Sequence, residues 1–89
     1  MDAVNTVRET MRQFITESYL PSSGVDRFED DDSLMERGII DSTGVLELLE
    51  YIEEKFEITI EDEEVIPDNL DSLNKLTVFI EKKLKNAGQ

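Results

Sequence analysis

The chain predicts an all-α fold: a small antiparallel bundle of three long helices plus one short helix, with a long loop between helices 1 and 2. Three observations carry this. Apolar residues recur every three or four positions in three separate stretches, the spacing of one helix face. Proline and glycine clusters divide those stretches. The one alternating segment, Ile58-Thr59-Ile60, is too short for a strand. With 89 residues, 38% of them apolar, the chain has material for one thin core, so residues 1–89 read as a single domain.

The first helix is expected from about Ala3 to Leu20, with Val4, Val7, Met11, Phe14 and Ile15 on its apolar face. Pro21 is expected to stop it, since proline has no N–H and restricts the residue before it. Ser22, Ser23 and Gly24 extend that break. Residues 21–41 form a connection without a period, of a length that is uncommon unless functional or pinned by its own side chains. Val25, Phe28, Leu34, Met35 and Ile39 are the candidates for pinning, and Ser33-Leu34-Met35-Glu36 for a single helical turn. Gly38 is a candidate for unusual backbone angles.

The second helix is expected from Ser42 or Thr43 to Phe56, with Val45, Leu48, Leu49, Ile52 and Phe56 as its apolar stripe. Glu47, Glu50, Glu53 and Glu54 lie off the stripe, and so does Leu46. Asp62 can cap a short third helix, roughly Glu63 to Ile66, ended by Pro67. The last helix begins after Asp71 or Ser72 and carries Leu73, Leu76, Ile80 and Leu84, with Phe79 on the flank. Lys82, Lys83 and Lys85 sit where the helix dipole favours cations. The tail Asn86-Ala87-Gly88-Gln89 is expected to fray.

Composition excludes several functions. There are 22 acids against 9 bases, and residues 26–71 hold 18 of the acids with only 3 of the bases. Nucleic acid and anionic lipid both need a basic face, so neither is an expected partner. Basic proteins are, with electrostatic steering. The chain has no cysteine and no histidine, so disulfides, thiolate metal sites and the commonest base for a serine nucleophile are ruled out. The nearest lysine after Ser42 is Lys55, more than three turns along a helix. The carboxylates fall on polar faces or in loops, without the burial that makes a general acid. No enzyme, no catalytic residue and no metal site are therefore expected. The run Asp26, Glu29, Asp30, Asp31, Asp32 fails as a calcium loop: its sixth position is Asp31 where glycine is required, and its twelfth is Arg37. It reads as a solvated loop. No apolar run suits a membrane span and the N-terminus lacks a signal-peptide pattern, so a cytoplasmic protein is expected.

Ser42 is the informative residue. Its hydroxyl can cap the second helix by accepting a first-turn N–H. Asp41 can cap instead, leaving Ser42 as the first helical residue with its hydroxyl free. A phosphodiester there would sit at the positive end of the helix, an anion site worth roughly 0.3–1 kcal/mol.

The surrounding segment, GIIDSTGVLELLEYIEEKFEITI at residues 38–60, resembles the acyl carrier protein family. The likeness includes Gly38, the two apolar residues before Asp41-Ser42, the apolar spacing that follows, Glu53-Glu54 and Phe56. The Asp62-Glu63-Glu64 run and the closing helix look like that family too. The resemblance implies that Ser42 carries covalent 4′-phosphopantetheine, attached by a phosphopantetheinyl transferase that Asp41 assists. It further implies an acidic docking face at Thr43, Leu46, Glu47, Glu50, Glu53 and Glu54. The partners there would be a loading ligase and downstream synthases or transferases with basic surfaces, serving fatty acid or polyketide biosynthesis. Leu48, Ile52, Ile60, Val65, Ile66 and Leu70 would line an acyl pocket, or serve as core alone. A freestanding monomer is expected. The family usually has leucine after the serine; Thr43 followed by Gly44 departs from that pattern. An aminoacyl or peptidyl carrier, and an unmodified acidic adaptor for basic proteins, are the competing readings.

Overall fold

The computed structural model describes the backbone of residues 3–87 and the side chains of residues 6–86. Those residues are helical, with no strand among them: α1 (Ala3–Ser18), α2 (Leu20–Ser23), α3 (Ser42–Phe56), a 3-10 turn (Asp62–Glu64), α4 (Pro67–Leu70) and α5 (Leu73–Ala87). The Cα radius of gyration is 12.4 Å, close to the roughly 12 Å expected for a folded chain of this length.

The three long helices form where the apolar periodicity placed them, because each can bury one face only by packing on another. α5 packs against α1, α3 and α4. Val7, Met11 and Ile15 of α1 meet Leu73, Leu76 and Ile80 of α5, with Leu48 and Ile52 of α3, in one core cluster. Phe79, expected on the flank, is also buried. The side chain of Val4 lies outside the described residues.

Both prolines act differently from expectation. Pro21 does not end the first helix; α1 has already stopped at Ser18, and Pro21 sits in the first turn of α2. Pro67 likewise opens α4 instead of closing the helix before it. A proline at a helix start loses nothing, because its missing N–H would have had no partner there. The long connection is accordingly shortened to residues 24–41. The expected helix over Glu63–Ile66 is a 3-10 turn, and Glu61, not Asp62, is its cap residue. The Glu61 N–H donates to Glu64 Oε1 at 2.9 Å. Ser72 caps α5, its Oγ accepting from the Lys75 N–H at 3.1 Å. That helix runs through Asn86 and Ala87, which were expected to fray.

The acidic connection is held down rather than merely solvated. Asp30 pairs with both Arg8 and Arg12 of α1. Arg12 also donates to the Phe28 carbonyl at 3.1 Å and lies 4.6 Å from the Phe28 ring centroid. The Asn74 N–H donates to the Asp30 carbonyl at 3.0 Å, tying the connection to α5. Phe28, Leu34 and Ile39 are buried as expected, Val25 packs on the core half-buried, and Met35 is exposed.

Candidate functional site

A compact turn delivers the chain to Ser42. The Arg37 N–H donates to the Ser33 carbonyl at 3.0 Å, which makes residues 33–37 one helical turn. Gly38 then takes φ 73°, a conformation that glycine tolerates. The Ile39 and Ile40 N–H groups both return to the Leu34 carbonyl, at 2.9 and 3.2 Å. Ile39 and Ile40 are thereby buried, and the next residues emerge at the surface.

Asp41 is the cap of α3: its Oδ1 accepts from the Gly44 N–H at 2.7 Å. Ser42 is the first helical residue, exposed, and its hydroxyl makes no hydrogen bond with any described residue. Of the two roles open to Ser42, the cap is therefore taken by its neighbour.

Gly44 is buried beneath Tyr19. A β-carbon there would meet Tyr19 Cε1 and Asp41 Oδ1 at 3.3 Å and Ile40 Cγ2 at 3.2 Å. The Tyr19 hydroxyl donates to the Gly44 carbonyl at 3.1 Å. Burial, then the Glu47 carboxylate and Asp41, hold the Tyr19 phenol above its usual pKa and keep it a neutral donor. Gly44 thus has a packing reason: without a β-carbon it admits the Tyr19 ring. Gly44→Val is expected to lower stability by roughly 1–3 kcal/mol through overpacking. Thermal unfolding checks this, as a fall in Tm of about 4–8 °C per kcal/mol.

Beside Ser42 lies an apolar groove of about 250 Å³. α3 supplies Val45, Leu46 and Leu48 to one wall, and Leu34, Met35 and Ile40 continue it. Val65, Ile66, Pro67, Leu70 and Asp71 complete the lining. Met35, Leu46 and Ile66 are 47%, 63% and 43% exposed, so three of the four exposed large hydrophobics among the described residues border this opening. Of the six residues expected to line a pocket, Leu48, Val65, Ile66 and Leu70 do so. Ile52 and Ile60 do not: Ile52 is wholly buried in the core, and Ile60 is half-buried away from the groove. Periodicity names the apolar face of a helix but not which of its residues meets a gap, and the wall at Leu34, Met35 and Ile40 belongs to a segment with no period at all.

Thr43 and Leu46 face different openings. Thr43 borders a polar cleft of about 400 Å³ with Ser18 and Ser22, whereas Leu46 borders the groove. Glu47, Glu50 and Glu54 are exposed along α3. Glu53, expected on the same docking face, is half-buried instead, and its Oε2 accepts from the Ile60 N–H at 2.8 Å. Glu64 pairs with Lys83 at 2.8 Å. The Lys83 hydrogen bond first, and the Glu61 N–H second, hold its carboxyl below the usual carboxylate range. Among the described residues no cluster of carboxylates converges to hold a metal ion, and no helix is long and apolar enough to cross a membrane.

No protein-family model matches the chain, and no curated protein matches it.

Proposed function

We propose that the protein is an acyl carrier protein, in which Ser42 anchors 4′-phosphopantetheine and presents acyl thioesters to partner enzymes. The observation that carries this is the Ser42 hydroxyl: exposed, without a partner among the described residues, and beside an apolar groove at the start of α3. A phosphodiester suits the site, since the first-turn N–H groups and the helix dipole favour an anion, and the Asp41 side chain caps without covering the hydroxyl. When bound, the group supplies a flexible arm ending in a thiol that holds the acyl load.

In attachment, Ser42 Oγ forms a bond to the pantetheine-bearing phosphorus of coenzyme A and the adenosine bisphosphate half leaves. The hydroxyl proton goes to a base on the transferase. The chain has no histidine, and its lysine nearest in sequence is Lys55. Asp41 sits next to the reacting oxygen and assists the transferase. Glu47, Glu50 and Glu54 form the charged part of a docking face for basic enzymes, with Leu46 and Thr43 beside them. The carrier's own contribution is tethering, which raises the local concentration of its load at each partner. The reading includes antiparallel packing of the three long helices, a monomeric state and a cytoplasmic setting.

Incubation with coenzyme A, magnesium and a broad-specificity phosphopantetheinyl transferase, followed by intact mass, tests it. The wild type is expected to gain one phosphopantetheine and Ser42→Ala none. An unmodified wild type, or equal gain in the variant, returns the protein to the class of acidic adaptors.

A further inference from the structure

We propose that Tyr19 is a positioning residue for the modification of Ser42: through the Gly44 carbonyl its hydroxyl keeps the first turn of α3 wound, so that the transferase meets Ser42 in one orientation. This rests on the carrier reading above.

The first turn of α3 has its weak point beside the serine. Ser42 is the first residue of the helix and Gly44 the third. Glycine loses more conformational freedom in a helix than any other residue, and only proline is a poorer helix former. Helix ends also fray, because their first N–H groups have no partner within the helix. Here two such groups are tied back to Asp41. The Gly44 N–H donates to its Oδ1 at 2.7 Å, and the Val45 N–H to its carbonyl at 2.9 Å. Ser42 lies inside the loop that these bonds close, so its orientation depends on Gly44 staying helical.

Tyr19 holds Gly44 from the other side. Its hydroxyl donates to the Gly44 carbonyl at 3.1 Å. That oxygen has two lone pairs and can serve the helix ladder as well. The Tyr19 ring is close enough that a β-carbon on Gly44 would meet its Cε1 at 3.3 Å. Tyr19 is itself fixed. Its N–H donates to the Ile15 carbonyl at 2.9 Å, and its carbonyl accepts from the Ser23 N–H at 3.2 Å. Its ring meets Phe14 edge-on with 5.7 Å between centroids, and Phe14 stacks on Tyr51 of α3 at 3.7 Å. Phe14 and Tyr19 thus grip α3 at its first turn and again about two turns on. Burial and the Glu47 carboxylate keep the phenol protonated, so the donor persists. Glu50 and Glu54 lie farther along α3 and are exposed. They attract a basic enzyme whether or not the first turn is wound. The grip of Tyr19 therefore bears on the step at Ser42 and not on capture.

The test uses Tyr19→Phe, which removes the hydroxyl and keeps the ring. Hydrogen exchange at the Gly44 and Val45 amides is expected to quicken by roughly three- to tenfold, the weight of one net hydrogen bond, with the Ile52 amide unchanged. In steady-state modification with coenzyme A and the transferase, kcat is expected to fall by about the same factor, with KM for the protein within about twofold of wild type. Arg12→Ala, which lowers stability away from α3, is the control: assayed well below its melting temperature, it should keep the wild-type kcat. If Tyr19→Phe does not fold, Phe14→Leu, which leaves the hydroxyl but removes the support of its ring, must quicken exchange at the same two amides and lower kcat. An unmodified wild type defeats the carrier reading, and this proposal with it. Where the wild type is modified, unchanged exchange, unchanged kcat or a loss carried by KM instead defeats this proposal alone, as does an equal loss of kcat in Arg12→Ala.

Discussion

Ile52→Ala is expected to be among the most destabilising single changes in the chain, at roughly 2–5 kcal/mol. Ile52 is fully buried in the cluster shared with Ile15, Leu76 and Ile80. Truncation removes apolar contacts and leaves a cavity that rigid helices close only in part. A domain of this length has a total stability of about 4–13 kcal/mol, so the variant is expected to melt at least 10 °C lower or to be partly unfolded at ambient temperature. Chemical denaturation gives the number directly. Ile52 does not line the groove beside Ser42, so if the variant folds, its modification at Ser42 by the transferase should match that of the wild type. A variant as stable as wild type would place Ile52 outside the core and restore it as a pocket residue.

Arg12→Ala is expected to cost roughly 1–3 kcal/mol, more than an ordinary surface ion pair, because three interactions are lost together. These are the pair with Asp30, the hydrogen bond to the Phe28 carbonyl and the stacking over the Phe28 ring. The effect should be local first. The Asn74 N–H donates to the Asp30 carbonyl, so its hydrogen-exchange protection should fall by more than that of core amides in α3. Arg37→Ala is the contrast: Arg37 pairs with Asp32 at 2.5 Å on an exposed part of the same connection, and its loss should cost under about 1 kcal/mol. Equal losses in the two variants would mean that the clasp on Asp30 does not hold the connection.

The long helices were legible in the sequence because their signal is local: apolar residues such as Leu48 and Ile52, or Leu76 and Ile80, repeat on one face. The Asp41 cap was legible for the same reason, since a cap spans only one helical turn. Pro21 and Pro67 were misread because proline fits a helix start and a helix end equally well as a break in pattern. The last helix was expected to begin after Asp71 or Ser72, and Ser72 is the residue that caps it. The partners of Asp71 at Ser33 and Met35 lie 38 and 36 residues away in the chain, beyond any local pattern. In the sequence Gly44 stood out only as the residue following Thr43, where the resembled pattern is left. Only the ring of Tyr19, from a segment 25 residues earlier, explains it.

By itself the sequence determined that the molecule is helical and that Asp41 and Ser42 stand at a helix start. Helical periodicity, a strongly acidic middle without histidine or cysteine, and an Asp-Ser pair at a helix start are properties of neighbouring residues and of composition. The tertiary structure alone decided what surrounds that serine. It put a groove at Ser42 by bringing Leu34, Met35 and Ile40 together with Val65, Ile66 and Leu70. It withdrew Ile52 and Ile60 from that groove, turned Glu53 onto the Ile60 N–H, and tied Ser33 and Met35 to Asp71. The reason is physical: a helix face follows from spacing along one segment, whereas a cavity and its fastening arise where segments distant in sequence pack imperfectly against one another.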